Sequence, residues 1–167
     1  MQLLSEILNQ RHPEDSPERI RLITNGSQLP YTETQQGIKF LHTMGGEVWF
    51  KLDAGNDVEM REVNDSHLPL ALHLQRLATC CELCMTWVQT SVLGRHIDGQ
   101  TFTTPSLAAY LQALQPFKDE IAGILLYGIA RPSQQDKADC IHPTSEATLE
   151  KFAGELRAQG FQVRAFN

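Results

Sequence analysis

Residues 123–129 read GILLYGI, a nearly continuous apolar run that is typical of a strand covered on both faces of a sheet. On either side of this run, four shorter segments also have the composition of strands. They are residues 19–24 (RIRLIT), 47–53 (EVWFKLD), 84–90 (CMTWVQT) and 161–166 (FQVRAF). The second of these alternates, with Val48, Phe50 and Leu52 on one face and polar or aromatic side chains on the other.

Helical patterns separate the predicted strands and also precede the first one. The spacing of apolar residues predicts helices over residues 2–10, from 32 to the Gly45-Gly46 pair, and over 68–79, 104–114 and 144–159. The polar stretches 54–66, 93–103 and 130–143 are predicted to be loops. We therefore expect one α/β domain over residues 1–167, with parallel strands joined by right-handed crossovers. A doubly wound sheet and part of a barrel both fit this pattern.

Composition narrows the classes of partner. A net charge of −6 and a pI near 5.5 argue against nucleic acid, because an acidic surface repels phosphates. No apolar run approaches the ~20 residues of a membrane helix, so no membrane partner is expected. Three of the four cysteines, Cys80, Cys81 and Cys84, lie within five positions, which suits a disulfide framework poorly. A reduced, cytoplasmic protein is expected.

Polar residues at the predicted strand ends are the candidates for a binding site, because sites in parallel α/β folds form at the carboxyl ends of strands. These residues are Asn25, Lys51, Asp53, Gln89 and Arg131. Lys51 and Asp53 share a face and could bind a zwitterion or a ribose, or else form an internal ion pair. Asn25-Gly26 is also a common turn dipeptide. Arg131 could equally be a solvated loop residue.

Cys81 and Cys84 have the Cys-x-x-Cys spacing of zinc and redox sites. They lie at a helix-to-strand junction, however, which is the amino end of a strand and the stability face of such folds. No second pair of ligands completes a four-coordinate site. Buried thiols that bind no metal are therefore expected.

Taken in order, the strand ends resemble those of the radical S-adenosylmethionine (SAM) enzymes. RIRLITNGS (19–27) resembles the third strand of their core, EVWFKLDAG (47–55) the fourth, TWVQTSVLGR (86–95) the fifth and GILLYGIARPS (123–133) the sixth. The resemblance implies a partial TIM-like (β/α) barrel that is incomplete at its N-terminal side. The segment that resembles the fifth strand, residues 86–95, lacks the Gly-x-Ile-x-Gly pattern that many members have there.

The resemblance also implies cofactors and roles. The family uses SAM and a [4Fe-4S] cluster, but the Cys-x-x-x-Cys-x-x-Cys loop that holds the cluster is absent from this sequence. By resemblance, Asn25 would face the methionine or substrate end, and Lys51 and Asp53 the ribose or carboxylate, with Gln89 lining the same cleft. The backbone from Ile129 to Arg131 would run beside the adenine. No catalytic residue and no metal ligand is assigned to this chain.

Three functions are compatible with these features. The first is a fragment or split part of a radical SAM enzyme, which would supply the SAM and substrate side of the barrel. The second is a binding or scaffold protein derived from the same fold, and the third is an unrelated α/β enzyme with a cysteine site. For the first, we expect either a cluster-bearing N-terminal half as partner or self-association through the open edge beside residues 19–24.

Overall fold

A five-stranded parallel sheet forms the centre of the structure, a computed structural model that describes residues 20–97, 100–128 and 141–166. The strands of the chain are β1 (Arg21–Thr24), β2 (Glu47–Lys51), β3 (Thr86–Ser91), β4 (Leu93–Ile97), β5 (Gln100–Thr104), β6 (Gly123–Tyr127), β7 (Ile141–Pro143) and β8 (Val163–Phe166). The helices are α1 (Thr32–Thr43), α2 (Asp57–Asn64), α3 (Leu70–Leu83), α4 (Leu107–Leu114) and α5 (Glu146–Ala158), with a 3₁₀ turn at Gln115–Phe117. Among the described residues, no helix has the length and apolar composition needed to cross a membrane. The helix expected over residues 2–10 lies outside the described ranges.

The strands of the central sheet lie side by side in chain order, β1-β2-β3-β6-β8, and every pair is parallel. The predicted α/β class and the parallel pairing of all five strands are therefore confirmed. The register aligns Trp49 with Trp87, and Lys51 with Gln89. Since parallel strands run the same way, all their carboxyl ends meet at one edge of the sheet.

One face of the sheet carries the hydrophobic core. Alternate strand residues such as Val48, Phe50 and Val88 are buried there against side chains of α1, α3, α4 and α5. Each of these helices contributes an apolar stripe, for example Leu77 and Cys80 of α3. All four helices thus pack on the same side, as expected when right-handed crossovers connect strands in sequential order.

The opposite face of the sheet is lined by polar and aromatic side chains. Trp49, Lys51, Gln89, Tyr127 and Arg164 belong to this face, at alternate positions of their strands. The Arg164 guanidinium lies over the Trp87 ring at 4.5 Å, and that of Arg21 over the Trp49 ring at 5.3 Å. The two faces therefore have different chemistry, one apolar and packed, the other suited to a polar ligand.

Each of the three predicted loops contains regular structure, and the loop predicted over residues 130–143 ends in β7 (Ile141–Pro143). Residues 54–66 contain helix α2. The side-chain oxygen of Asn56 stabilises the start of this helix by accepting a hydrogen bond from Glu59 N at 2.9 Å. Residues 93–103 belong largely to the antiparallel pair β4–β5, which joins β7 in a separate three-stranded sheet. Helix α4 begins at Leu107 with Ser106 as its N-cap residue, three positions later than predicted.

Glu59 links α2 to two other parts of the fold. Its buried carboxylate accepts hydrogen bonds from Gly55 N at 2.7 Å and from Ser106 N at 2.9 Å. These amides belong to the turn after β2 and to the start of α4. Gly55 is required at this turn, because a Cβ atom there would lie 2.4 Å from the backbone nitrogen of Tyr110.

We expect Glu59→Gln to lower the free energy of unfolding by about 2 kcal/mol, because an amide NH₂ would face one of the two backbone donors and leave it unpaired. Glu155→Gln, on the exposed side of α5, is the matched control and should change stability by less than about 0.5 kcal/mol. Urea denaturation of the three proteins provides the measurement. Equal midpoints for Glu59→Gln and the wild type would show that the buried carboxylate contributes nothing to the fold.

Candidate functional site

A cleft of about 840 Å³ opens at the carboxyl edge of the central sheet. Its walls come from the residues that follow β1, β2, β3 and β6, from α2 and the chain after it, and from the first turns of α3. The polar residues that line it are Asn25, Ser27, Lys51, Asp53, Asn64, Asp65, Ser66, His67, His73, Arg76 and Ser91. Three of the residues predicted from the sequence, Asn25, Lys51 and Asp53, are thus brought to one cleft.

Lys51 and Asp53 form an ion pair at the end of β2, with Nζ and Oδ2 separated by 3.1 Å. The other carboxylate oxygen of Asp53 accepts from Ser91 N at 2.7 Å, so that Asp53 ties the ends of β2 and β3 together. Asp53 is 6% exposed, whereas the side chain of Lys51 is 39% exposed. The carboxylate therefore has a structural role and the ammonium group presents its remaining donors to the cleft.

Asn25 has a local structural role in the turn after β1. Its side-chain oxygen accepts from Ser27 N at 3.1 Å, and Gly26 beside it has a φ of +72°. A Cβ atom on Gly26 would lie 2.7 Å from the Phe50 ring, so both the dihedral angle and the packing require glycine. The exposed Asn25 side chain still lines the cleft and has its NH₂ group free to donate.

Gln89 neighbours Lys51 across the β2–β3 pair but is not part of the cleft lining. Its Oε1 atom is buried and has no hydrogen-bond partner among the described residues. Ile129 and Arg131, the remaining predicted contacts, lie outside the described part of the chain.

The side chains of Thr90 and Tyr110 form a buried hydrogen-bonded pair. The Thr90 hydroxyl donates to Leu52 O at 2.9 Å and lies 2.5 Å from the Tyr110 hydroxyl. Burial holds the pKa of Tyr110 far above its ordinary value, and Asp53 adds to this effect. Tyr110 therefore stays protonated and connects α4 to the ends of β2 and β3.

His73 and Arg76 reach the cleft from α3, and the sequence analysis did not select them. They are three positions apart on a helix and therefore share a face. His73 is 3% exposed and Arg76 is partly exposed. His73 Nδ1 and Arg76 Nε are buried and have no hydrogen-bond partner among the described residues. The i, i+3 spacing was readable in the sequence, but nothing local distinguished this histidine from the other five.

The tautomer of His73 follows from its contacts. Its Nε2 atom lies 2.9 Å from Lys51 O, and a carbonyl oxygen only accepts, so that Nε2 carries the proton. Burial lowers the pKa of His73, and the neighbouring charge of Arg76 lowers it further. The hydrogen bond to Lys51 O and the charge of Asp53 act in the opposite direction. At neutral pH, Nδ1 is consequently a bare acceptor.

Cys80, Cys81 and Cys84 lie away from the cleft, near the amino end of β3. Burial raises the pKa of Cys80 and of Cys81 to about 12, and it also raises the pKa of Cys84. Cys84 Sγ donates to Gly46 O at 3.3 Å. In the part of the chain that the structure describes, no group of three or more His, Cys, Asp or Glu side chains could hold a metal ion. Burial therefore disfavours the thiolate form that the ligands of an iron–sulfur cluster need.

The family comparison gives no match for this chain. Neither the protein-family models nor the curated proteins include one that matches it.

The cleft brings charged and hydrogen-bonding groups together. It combines an ammonium group, a guanidinium group, an imidazole acceptor and several amide and hydroxyl groups. Small polar ligands with a carboxylate and hydroxyl groups match this set of donors and acceptors.

The lowered pKa of His73 predicts a loss of stability in mild acid. The unfolded chain binds the proton more tightly, so the contribution of His73 is complete above its ordinary pKa of 6.5 and is lost as the pH falls through the lower folded value. Thermal unfolding between about pH 7.5 and 5 should show a smaller decrease in melting temperature for His73→Gln than for the wild type. His42→Gln, on the exposed side of α1, is the control. Parallel profiles for all three proteins would contradict this assignment.

We also expect the cysteines to bind no metal. Protein purified without added metal should contain well below one equivalent of zinc or iron by elemental analysis, because burial keeps the Cys81 and Cys84 thiols protonated. Stoichiometric zinc that is lost in Cys84→Ser would contradict this and favour the cysteine-based enzyme instead.

Proposed function

We propose that this chain is the C-terminal part of a radical SAM-type partial barrel and forms the SAM and substrate side of its cleft. The observation that carries the proposal is the convergence of Asn25, Lys51 and Asp53 on one cleft at the carboxyl edge of a parallel sheet. These are three of the six residues that the sequence analysis assigns to the ligand, together with Gln89, Ile129 and Arg131. Cytoplasmic localisation remains part of the same proposal.

The one-sided covering of the sheet supports a barrel wall over a doubly wound sheet. In a doubly wound sheet the strand order reverses, and helices cover both faces. Here the order β1-β2-β3-β6-β8 does not reverse, and α1, α3, α4 and α5 share one apolar core. The opposite face carries Trp49, Lys51 and Gln89, as expected of the inner face of a barrel.

Within this proposal, Lys51 binds the ligand carboxylate or a ribose oxygen, and Asp53 positions Lys51. The Asp53 carboxylate keeps unused lone pairs after it accepts from Ser91 N and Lys51, and these can accept from a ribose hydroxyl. A cluster held by a partner would supply the single electron that cleaves SAM into methionine and a 5′-deoxyadenosyl radical. Side chains do not supply that electron, so a cluster-bearing partner is required for the reaction.

The exposed edge of β1 is the proposed contact for that partner. β1 pairs with β2 on one side, and no described strand pairs with its other side. Leu22 and Ile23 on this strand are 38% and 56% exposed. A strand from a cluster-bearing N-terminal half would continue the parallel sheet here, and self-association through the same edge is the alternative when that half is absent.

Saturation-transfer NMR with S-adenosylmethionine tests the proposal. We expect weak binding that saturates the ribose and adenine protons, because the chain forms only one side of the site. Lys51→Ala should weaken binding roughly threefold to tenfold, through loss of a charge-assisted hydrogen bond. Lys39→Ala, on the exposed side of α1, is the matched control and should leave binding unchanged.

Two results would contradict the proposal. One is an absence of saturation transfer to S-adenosylmethionine, which would favour a scaffold protein. The other is production of 5′-deoxyadenosine by the reduced chain alone after iron–sulfur reconstitution, since this chain is expected to hold no cluster.

A further inference from the structure

Two buried polar atoms of residues that line the cleft have no role in the proposed contacts to SAM. They are Nδ1 of His73 and Nε of Arg76, both buried and without a hydrogen-bond partner among the described residues. A buried polar atom without a partner costs about 1–3 kcal/mol, so such atoms are rare in folded proteins and need an explanation. Here both belong to residues on one face of α3 that line the same cleft.

The chemistry of the two groups is complementary. The Lys51 carbonyl fixes the proton of His73 on Nε2, which leaves Nδ1 as an acceptor. Packing of the imidazole on the Phe50 ring, with centroids 4.8 Å apart, restrains its orientation. Arg76 makes no ion pair with the described residues, and its planar guanidinium group can donate two parallel hydrogen bonds to an anion. The imidazole acceptor of His73 and the guanidinium group of Arg76 thus belong to residues about one helical turn apart on α3.

Two acidic residues, Asp53 and Asp65, also line the cleft. Asp53 is paired with Lys51 and accepts from Ser91 N. Arg76 forms no ion pair with the described residues, so its positive charge attracts an anion.

We infer that His73 and Arg76 form a subsite for the substrate, which is a small anion with a hydroxyl group on the carbon next to its charged group. Arg76 binds the carboxylate or phosphate, and His73 Nδ1 accepts from the hydroxyl group. The inference deepens the proposed function, since it takes the cleft as the ligand-binding side of the barrel. Neither contact requires S-adenosylmethionine to be present.

Glycolate and propionate form a matched pair of probes, because they differ only by a hydroxyl group in place of a methyl group. We expect the wild-type chain to bind glycolate roughly fivefold to tenfold more tightly than propionate in a ligand-observed NMR titration. His73→Gln should abolish this preference with propionate affinity unchanged, since glutamine can still donate to Lys51 O but places no acceptor at Nδ1. Arg76→Gln should weaken both ligands roughly tenfold.

Arg61→Gln, on the exposed side of α2, is the control for a general loss of positive charge and should leave both affinities unchanged. Circular dichroism confirms that each variant is folded, and His73→Leu, which also has no acceptor at this position, provides a second variant if His73→Gln unfolds. Hydroxymethylphosphonate, which carries its hydroxyl group on the carbon next to a phosphonate, replaces glycolate in a parallel titration, and the tighter ligand identifies the anionic group as phosphate-like or carboxylate.

Equal affinities of the wild-type chain for glycolate and propionate would overturn the inference, as would failure of both to bind. A preference that survives in His73→Gln would overturn the role of Nδ1 and indicate that an ordered water satisfies this atom. If the glycolate preference fails while S-adenosylmethionine binds through Lys51, the subsite is wrong and the proposed function stands. If the glycolate preference is found but S-adenosylmethionine does not bind, the subsite stands and the proposed function is wrong.

Discussion

Parallel hydrogen bonding between strands that lie in chain order is the constraint on which the rest of the structure depends. It brings the carboxyl ends of β1, β2, β3 and β6 to one edge, where the cleft forms. It also requires each connection to cross on the same side, so that one face of the sheet receives all the apolar packing. The other face of the sheet is not covered by these helices and carries the side chains of Trp49, Lys51 and Gln89.

Buried polar groups in and around the cleft divide into two kinds. Asp53, Glu59 and Thr90 are satisfied by bonds that join separate segments, and they fix the positions of the cleft walls. By contrast, one atom in each of His73, Arg76 and Gln89 has no partner among the described residues. The first kind stabilises the fold, whereas the second is the chemical basis for proposing a ligand.

The sequence predicted the five strands of the central sheet, since their signals are local. Alternation in residues 47–53 and the apolar run at 123–129 each record which side of the sheet a residue faces. The adjacency of Lys51 and Asp53 followed from the period of a strand, and the structure shows the internal ion pair that was one of two alternatives. Helix α2 was missed because most of its residues are polar, although Asn56-x-x-Glu59 is a readable capping signal.

The roles of His73 and Gln89 depend on contacts that no local pattern records. His73 is recognised as an acceptor only through Lys51 O, 22 positions earlier in the chain, and through the helix face that meets the cleft. The β4–β5 pair was missed for a related reason. A polar two-stranded ribbon has little hydrophobic alternation, and its pairing with β7 joins residues that are far apart in sequence.

A crystal structure of the chain grown with S-adenosylhomocysteine tests most directly whether the carboxyl edge of the sheet is a ligand site. This analogue keeps the adenosine, amine and carboxylate groups of S-adenosylmethionine but is not cleaved. The ligand is expected in the cleft, with an oxygen atom in hydrogen-bond distance of Lys51 Nζ and with the Lys51–Asp53 pair retained. A ligand at the amino edge of the sheet or on the helix-covered face, with the cleft occupied by solvent alone, would contradict the central claim.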